Sequence, residues 1–192
     1  MYFLFRPLSE TRYPGLLVAE LPVNQTQSGQ EMFGRALVVG VGNRMRRDDG
    51  IGLAVAAQLE NNPPPMTSIT SLEGDCFRLL DIWRKSERVY VVDATLGSEP
   101  GRIQRVDCSR WQMPSELAGG STHGFGVWQA VQLARSLGRL PEHLVIVAVT
   151  GADFGLGEGL SPPVKRAVPE VVDFLRRELQ SAQPPRRAGA ID

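Results

Sequence analysis

The chain has 192 residues, 42% of them hydrophobic and 22% charged, enough for one well-buried core but too few for two of comfortable size. Lys plus Arg and Asp plus Glu balance at 21 each, so no net field draws the protein to nucleic acid or to an anionic membrane. The two cysteines, Cys76 and Cys108, are too far apart in sequence for a CxxC hook and too few for a disulfide framework, which predicts a reducing compartment.

Residues 1–33 mix short apolar pieces with Pro, Gly, Gln and Ser and read as an N-terminal extension. The opening MYFLFRPLSE lacks a basic stretch followed by a sustained apolar run, and no segment reaches the roughly 18 apolar residues that suggest a membrane span. A cytoplasmic protein is expected, in which the Asn24 sequon is idle. From Arg35, RALVVGVG is a continuous apolar run ending in glycines, as for a strand buried on both faces. Ile51, Val55 and Leu59 then recur at helical spacing, with Asp48 or Asp49 placed to cap the helix and Pro63 to end it.

A weaker strand around 68–72, a helix over 77–83 and the strand RVYVVDA from Arg88 continue a β/α alternation. Residues 102–107 alternate in period two, as a half-exposed strand does, with an antiparallel edge as one option. A helix from about Val127 to Leu137 and the apolar strand HLVIVAVT from His143 follow. Ser161 before Pro162 and Pro163 marks the start of a last helix to about Leu179. Residues 181–192 carry no apolar pattern and read as a loose tail. The fold class is therefore α/β with a doubly wound sheet, in one domain spanning about 34–180.

Three side chains stand out for chemistry. Asp49 follows the first strand, where either it or Asp48 could simply cap the helix; one can cap while its neighbour binds. Asp93 ends the strand VYVVDA, at the sheet edge where open α/β proteins bind ligands, and a carboxylate there needs a partner or a metal. His123 lies in the loop Gly-Gly-Ser-Thr-His-Gly, whereas His143 opens a strand and reads as a surface residue. One crevice can hold all three, and two carboxylates with one imidazole suit a divalent ion such as nickel or zinc while leaving coordination positions open.

Competing templates fit less well. Gly40-Val-Gly42 resembles the start of a dinucleotide fingerprint, but Met45 stands where the third glycine belongs and Asp48 and Asp49 would confront a pyrophosphate. No GxSxG, HExxH, GxxxxGK[ST] or CxxC occurs, and Cys76 as a nucleophile has no local signature. Arg44, Arg46 and Arg47 could steer an acidic partner or form a solvated loop.

Taken in order, Gly40-Val-Gly42-Asn43, Asp48-Asp49-Gly50-Ile51-Gly52, Val92-Asp93-Ala94, Thr122-His123-Gly124 and Gly159-Leu160-Ser161-Pro162 resemble the nickel-iron hydrogenase maturation endopeptidases, from about Leu37 to Leu179. The resemblance implies a twisted, mostly parallel five-stranded sheet between helices. It further implies an enzyme that removes a C-terminal extension from the hydrogenase large-subunit precursor, recognising the nickel that the precursor carries, for which other divalent ions may substitute. By motif position, the family's metal-contacting residues fall on Asp49, Asp93 and His123. A related metallo-endopeptidase with another protein substrate, and a non-catalytic nickel- or nucleotide-binding module, are the competing readings.

Overall fold

A computed structural model describes residues 36–109 and 126–181, all within the unit Met32–Asp192. The N-terminal extension, His123 and its glycine-rich loop, and the tail beyond Ser181 lie outside the described residues.

Strand β1 (Ala36–Gly42) leads through a single 3-10 turn, Arg47–Gly50, into helix α1 (Ile51–Glu60). Strand β2 (Thr67–Glu73), helix α2 (Leu79–Ile82, with short 3-10 turns on either side) and strand β3 (Arg88–Thr95) follow. Then come β4 (Ile103–Asp107), α3 (Val127–Ser136), β5 (His143–Thr150) and α4 (Pro162–Ser181). The five strands form one sheet in the order β2-β1-β3-β5-β4. All pairings are parallel except that of β4 with β5, which is antiparallel, so the alternating segment ending at Asp107 is the antiparallel edge that its period-two pattern predicts.

The apolar runs of β1, β3 and β5 are buried because both of their faces are covered. Leu37, Val39, Val41, Val89, Val91, Leu144 and Ile146 face α2 and α3, whereas Ala36, Val38, Tyr90, Val92, Val145 and Val147 face α1 and α4. Helix, sheet and helix thus make three layers, as expected for a parallel sheet whose crossovers carry helices. The edge strand β2, with the polar sequence TSITSLE, stays largely half-exposed or exposed. That explains its weaker signal: an edge strand has no need of a continuous apolar run.

Two details correct the sequence reading. The N-cap of α1 is Gly50, with no side-chain capping bond; Asp48 and Asp49 sit in the preceding 3-10 turn, both fully buried. The helix expected over 77–83 is a short α-helix between two 3-10 turns, its entry held by Asp75, whose carboxylate accepts from the Phe77 amide at 2.9 Å.

The connections out of β1 and β3 depart in opposite directions across the sheet, β1 to β2 at one side and β3 towards β4 and β5 at the other. Such a switch point leaves a crevice at the carboxyl ends of the two adjacent strands. Glycines bring α1 close against it. A Cβ on Gly52 would lie 2.2 Å from the Val41 carbonyl oxygen and 2.4 Å from that of Val92, and one on Gly40 would lie 2.1 Å from the Gly52 carbonyl oxygen. Gly42, at φ +152°, would drive a Cβ to 1.9 Å from the carbonyl oxygen of Asp49. The helix therefore rests directly on strand backbone, and the turn before it is drawn onto the strand ends.

Since overpacking against backbone cannot be relieved by a rotamer change, Gly52→Ala should lower stability by roughly 3 kcal/mol or more. A shifted urea midpoint at unchanged slope would show it, and a midpoint equal to wild type would mean that α1 does not need this close approach.

Candidate active site

Asp49 and Asp93 converge from the two strands that flank the crevice. Asp49 is placed by the 3-10 turn, in which its own amide donates to the Arg46 carbonyl at 3.1 Å and its carbonyl accepts from the Asn43 amide at 3.3 Å. Asp93 comes two residues before the end of β3, half-buried, with its Oδ1 accepting from the Ala94 amide at 2.8 Å. Burial pushes the Asp93 carboxyl up to about 8, the charge of Asp49 adds to the rise, and the Ala94 hydrogen bond only partly opposes it. Two carboxyl groups held together in a partly dry crevice make ionisation of the second one costly, and a bound cation relieves both causes of that cost.

His123, the third residue of the expected set, lies outside the described residues. Among the described residues no group of three His, Cys, Asp or Glu side chains is arranged to hold a metal ion. Carboxylate oxygens are hard donors of the kind that suit a divalent cation.

Asp48, adjacent in sequence, does something different. Its Oδ2 accepts from the amides of Ala152 at 2.8 Å and Asp153 at 2.9 Å and from the Ser161 hydroxyl at 2.8 Å, while its Oδ1 accepts from the Ser161 amide at 2.6 Å. Burial works against ionisation here, but the hydrogen bonds from Ser161, Ala152 and Asp153 together outweigh it and hold the carboxyl below its ordinary value. A charged oxygen pair that accepts from several backbone amides is the usual way to keep a buried carboxylate ionised. Ser161 therefore spends its hydroxyl on Asp48, a role beyond the helix-start signal that the sequence shows.

Further backbone bonds run alongside. The Arg47 amide donates to the Gly157 carbonyl and the Gly157 amide to that of Met45, both at 2.9 Å, and the Asp48 amide donates to the Asp153 carbonyl at 3.1 Å. The loop after β1 and the loop after β5 are consequently one hydrogen-bonded unit. No sequence signal predicts it, because the partners of Asp48 lie 104 to 113 residues away.

The arginines of the first loop serve the same unit. Arg47 pairs with Asp153 at 3.3 Å and its Nε donates to the Leu156 carbonyl at 3.3 Å, while Arg46 donates to that of Phe154 at 3.4 Å. Arg44 pairs with Glu73 through Nε at 3.0 Å. They bind within the chain rather than waiting for an acidic partner. Glu73, at the end of β2, is thereby taken up by Arg44.

Cys76 is 2% exposed, and burial, followed by the charges of Asp93, Asp75 and Asp49, pushes its thiol up to about 12. A buried thiol that holds its proton is a poor nucleophile. His143 opens β5 at the opposite edge of the sheet and stands edge-on to Tyr90, with ring centroids 6.1 Å apart, so it is a packed residue and no part of the crevice.

A doubly wound α/β sheet with a carboxylate pair at its switch point is an enzyme-like arrangement, and comparison with known proteins makes it specific. The family model for hydrogenase maturation proteases, HycI, matches residues 55–178. The chain belongs to the hydrogenase maturation protease family and is a peptidase.

The hydrogenase expression/formation protein HupD of Bradyrhizobium diazoefficiens is 29% identical over 147 residues, covering 73% of this chain and 75% of the relative. HupD of Thiocapsa roseopersicina is 28% identical over 144 residues, covering 72% of this chain and 64% of the relative. Among solved structures, the [NiFe] hydrogenase maturation protease HybD of Thermococcus kodakarensis superposes with a TM-score of 0.59 at 25% identity, covering 76% of this chain and 99% of the other. The Escherichia coli HybD endopeptidase, at 22% identity and a TM-score of 0.62 over 77% of this chain and 93% of its own, shares the fold. No helix among the described residues is long and apolar enough to cross a membrane.

Proposed function

We propose that this peptidase removes a C-terminal extension from the large-subunit precursor of a nickel-iron hydrogenase, and that Asp49, Asp93 and His123 engage the nickel which that precursor carries. The observation that carries the reading is the meeting of Asp49 and Asp93 at the switch-point crevice, where burial and the charge of Asp49 raise Asp93 to about 8. A cation arriving there displaces the Asp93 proton and is held by two carboxylates. The similar Thermococcus kodakarensis protein is a [NiFe] hydrogenase maturation protease, which supports the same substrate class.

In this reading the metal belongs to the substrate and supplies Lewis-acid polarisation of the peptide carbonyl. The chain contributes position. Asp49 and Asp93 fix the ion at the carboxyl ends of β1 and β3, His123 completes the contact from its loop, and the scissile peptide is thereby held beside the ion. A carboxylate left uncoordinated is placed to accept a proton from the attacking water. The reaction takes place in the cytoplasm, which fits two cysteines that are both free and buried.

Intact-mass measurement of the cognate precursor, incubated with this protein with and without nickel loading, tests the reading. Loss of one C-terminal peptide only from the loaded precursor is expected, with Asp49→Asn and His123→Ala each slowing cleavage by roughly a hundredfold or more. Unimpaired cleavage by both variants would remove these residues from the mechanism.

A further inference from the structure

Large apolar side chains exposed to water are not scattered evenly over the described residues. Met45 follows β1, Phe77 follows β2, Leu96 follows β3 and Leu156 follows β5, so all four stand at the carboxyl edge of the parallel strands, around the crevice. Only Met66 and Leu137 stand at the other edge. Leu156 is the extreme case, at 85% exposure.

Its loop is no loose excursion. The Leu156 carbonyl accepts from Arg47, the Phe154 carbonyl from Arg46, and the Gly155 amide donates to Asp153 at 2.8 Å. The next residue, Gly157, is bonded to Met45 and Arg47 through its backbone. A leucine held out by a hydrogen-bonded loop, with Met45 beside it across the backbone pairing, is a preorganised apolar knob. Next to it is a hollow of about 410 Å³ lined by the apolar side chains Leu53, Ala54, Ala57 and Leu160 together with the charged Arg44, Arg47 and Glu158. A hydrogen-bonded apolar knob beside a hollow that combines apolar side chains with a few charges has the anatomy of a protein-docking surface.

We propose that the Met45–Leu156 knob and the hollow beside it form the docking surface for the folded body of the substrate protein, and that they set specificity for it. The inference rests on the function proposed above: the crevice must meet a protein, and this apolar face adjoins the turn that carries Asp49. The folded body is the occupant that the geometry favours, because the crevice between β1 and β3 takes the metal and the scissile peptide while the knob and hollow lie outside it on the α1 side.

The test is steady-state cleavage of the purified metal-loaded precursor by Leu156→Ser and by Ala57→Trp, the second of which plugs the hollow from an exposed helix position. Both should raise KM by roughly tenfold, the factor expected for losing one apolar anchor from an interface, with kcat at saturation unchanged. The control Leu137→Ser, at the far edge, should leave KM at the wild-type value. Circular dichroism of each variant, matching wild type, keeps unfolding out of the comparison.

A KM within about twofold of wild type for either Leu156→Ser or Ala57→Trp overturns the inference, as does an equal rise for Leu137→Ser. Sedimentation velocity adds a further arm: if the wild type is a dimer that Leu156→Ser dissociates, the surface joins two copies of this chain and the inference fails. Failure of the wild-type protein to cleave a loaded precursor at all would defeat the proposed function instead.

Discussion

Asp93→Asn should make the metal-free protein more stable in mild alkali while sharply slowing cleavage. The wild-type carboxyl is pushed up to about 8 by burial and by the charge of Asp49, against an ordinary aspartate value of about 3.9. A raised acid binds its proton more tightly folded than unfolded, so its neutral form contributes stability that is full below pH of about 4 and is lost as pH rises towards 8. At the steepest part of that window the loss is about 1.4 kcal/mol per pH unit.

Asparagine has the same shape and nothing to ionise, so the variant should lack this slope. At pH 8 it should exceed the metal-free wild type by on the order of 2–4 kcal/mol, read from urea midpoints in the presence of a chelator. The same substitution removes one of the two carboxylates proposed to hold the cation, and precursor cleavage should fall by at least about a hundredfold. A variant with a wild-type pH slope would mean that Asp93 ionises freely in the fold; a variant that still cleaves would put the metal elsewhere.

Asp48→Ala should cost about 3–5 kcal/mol, the range for removing one partner from a buried charged network. Three amides and a hydroxyl converge on this one carboxylate, and alanine leaves them buried without an acceptor. Asp48→Asn keeps an oxygen but trades acceptor sites for donors that face donors, so it should fall between alanine and wild type.

The pH dependence has the opposite sign to that of Asp93. A depressed carboxyl contributes stability that is present above the unfolded value of about 3.9 and is lost as pH falls through its lower folded value. Wild type should therefore destabilise in acid partly through this group, and Asp48→Ala should lack that part of the acid transition. Denaturant melts of both proteins between neutral and strongly acidic pH would show it. Parallel curves would mean that the network holds without the charge.

These two adjacent aspartates show how far sequence reasoning reaches. The pair was visible as a pair, and so was the possibility that one is structural and one chemical, because capping and ligation are the ordinary uses of acids before a helix. Capping rules alone left the division open, and only the motif resemblance pointed to Asp49 for the metal; the structural role of Asp48 was not visible. Asp48 is fixed by Ala152, Asp153 and Ser161, contacts that only the packing of β1 beside β3 and of β3 beside β5 brings within reach. The helix-capping expectation failed for Asp48 for the same reason: its carboxylate is drawn inward by tertiary hydrogen bonds that outweigh the local preference for a cap.

Elements with two buried faces were legible almost to the residue. β5 begins at His143 and ends at Thr150 because an uninterrupted apolar run has no other comfortable environment. The antiparallel edge at β4 was readable from alternation. The broken helix around Leu79 was not, since its 3-10 flanks depend on the Asp75 turn. The exposed apolar rim also escaped the sequence, for Met45 and Leu156 look like any loop residues until the strands align their loops at one edge.

The closeness of α1 to the sheet bears on any attempt to transplant this site. Copying Asp49 and Asp93 onto another doubly wound protein would reproduce the charges without their spacing, because the spacing is written in hydrogens where side chains would otherwise stand: at Gly40, Gly42 and Gly52, each facing backbone at about 2 Å from where a Cβ would be. A graft would have to carry these three empty positions along with the acids, and a library that held the acids fixed while randomising the glycines would select for the glycines again.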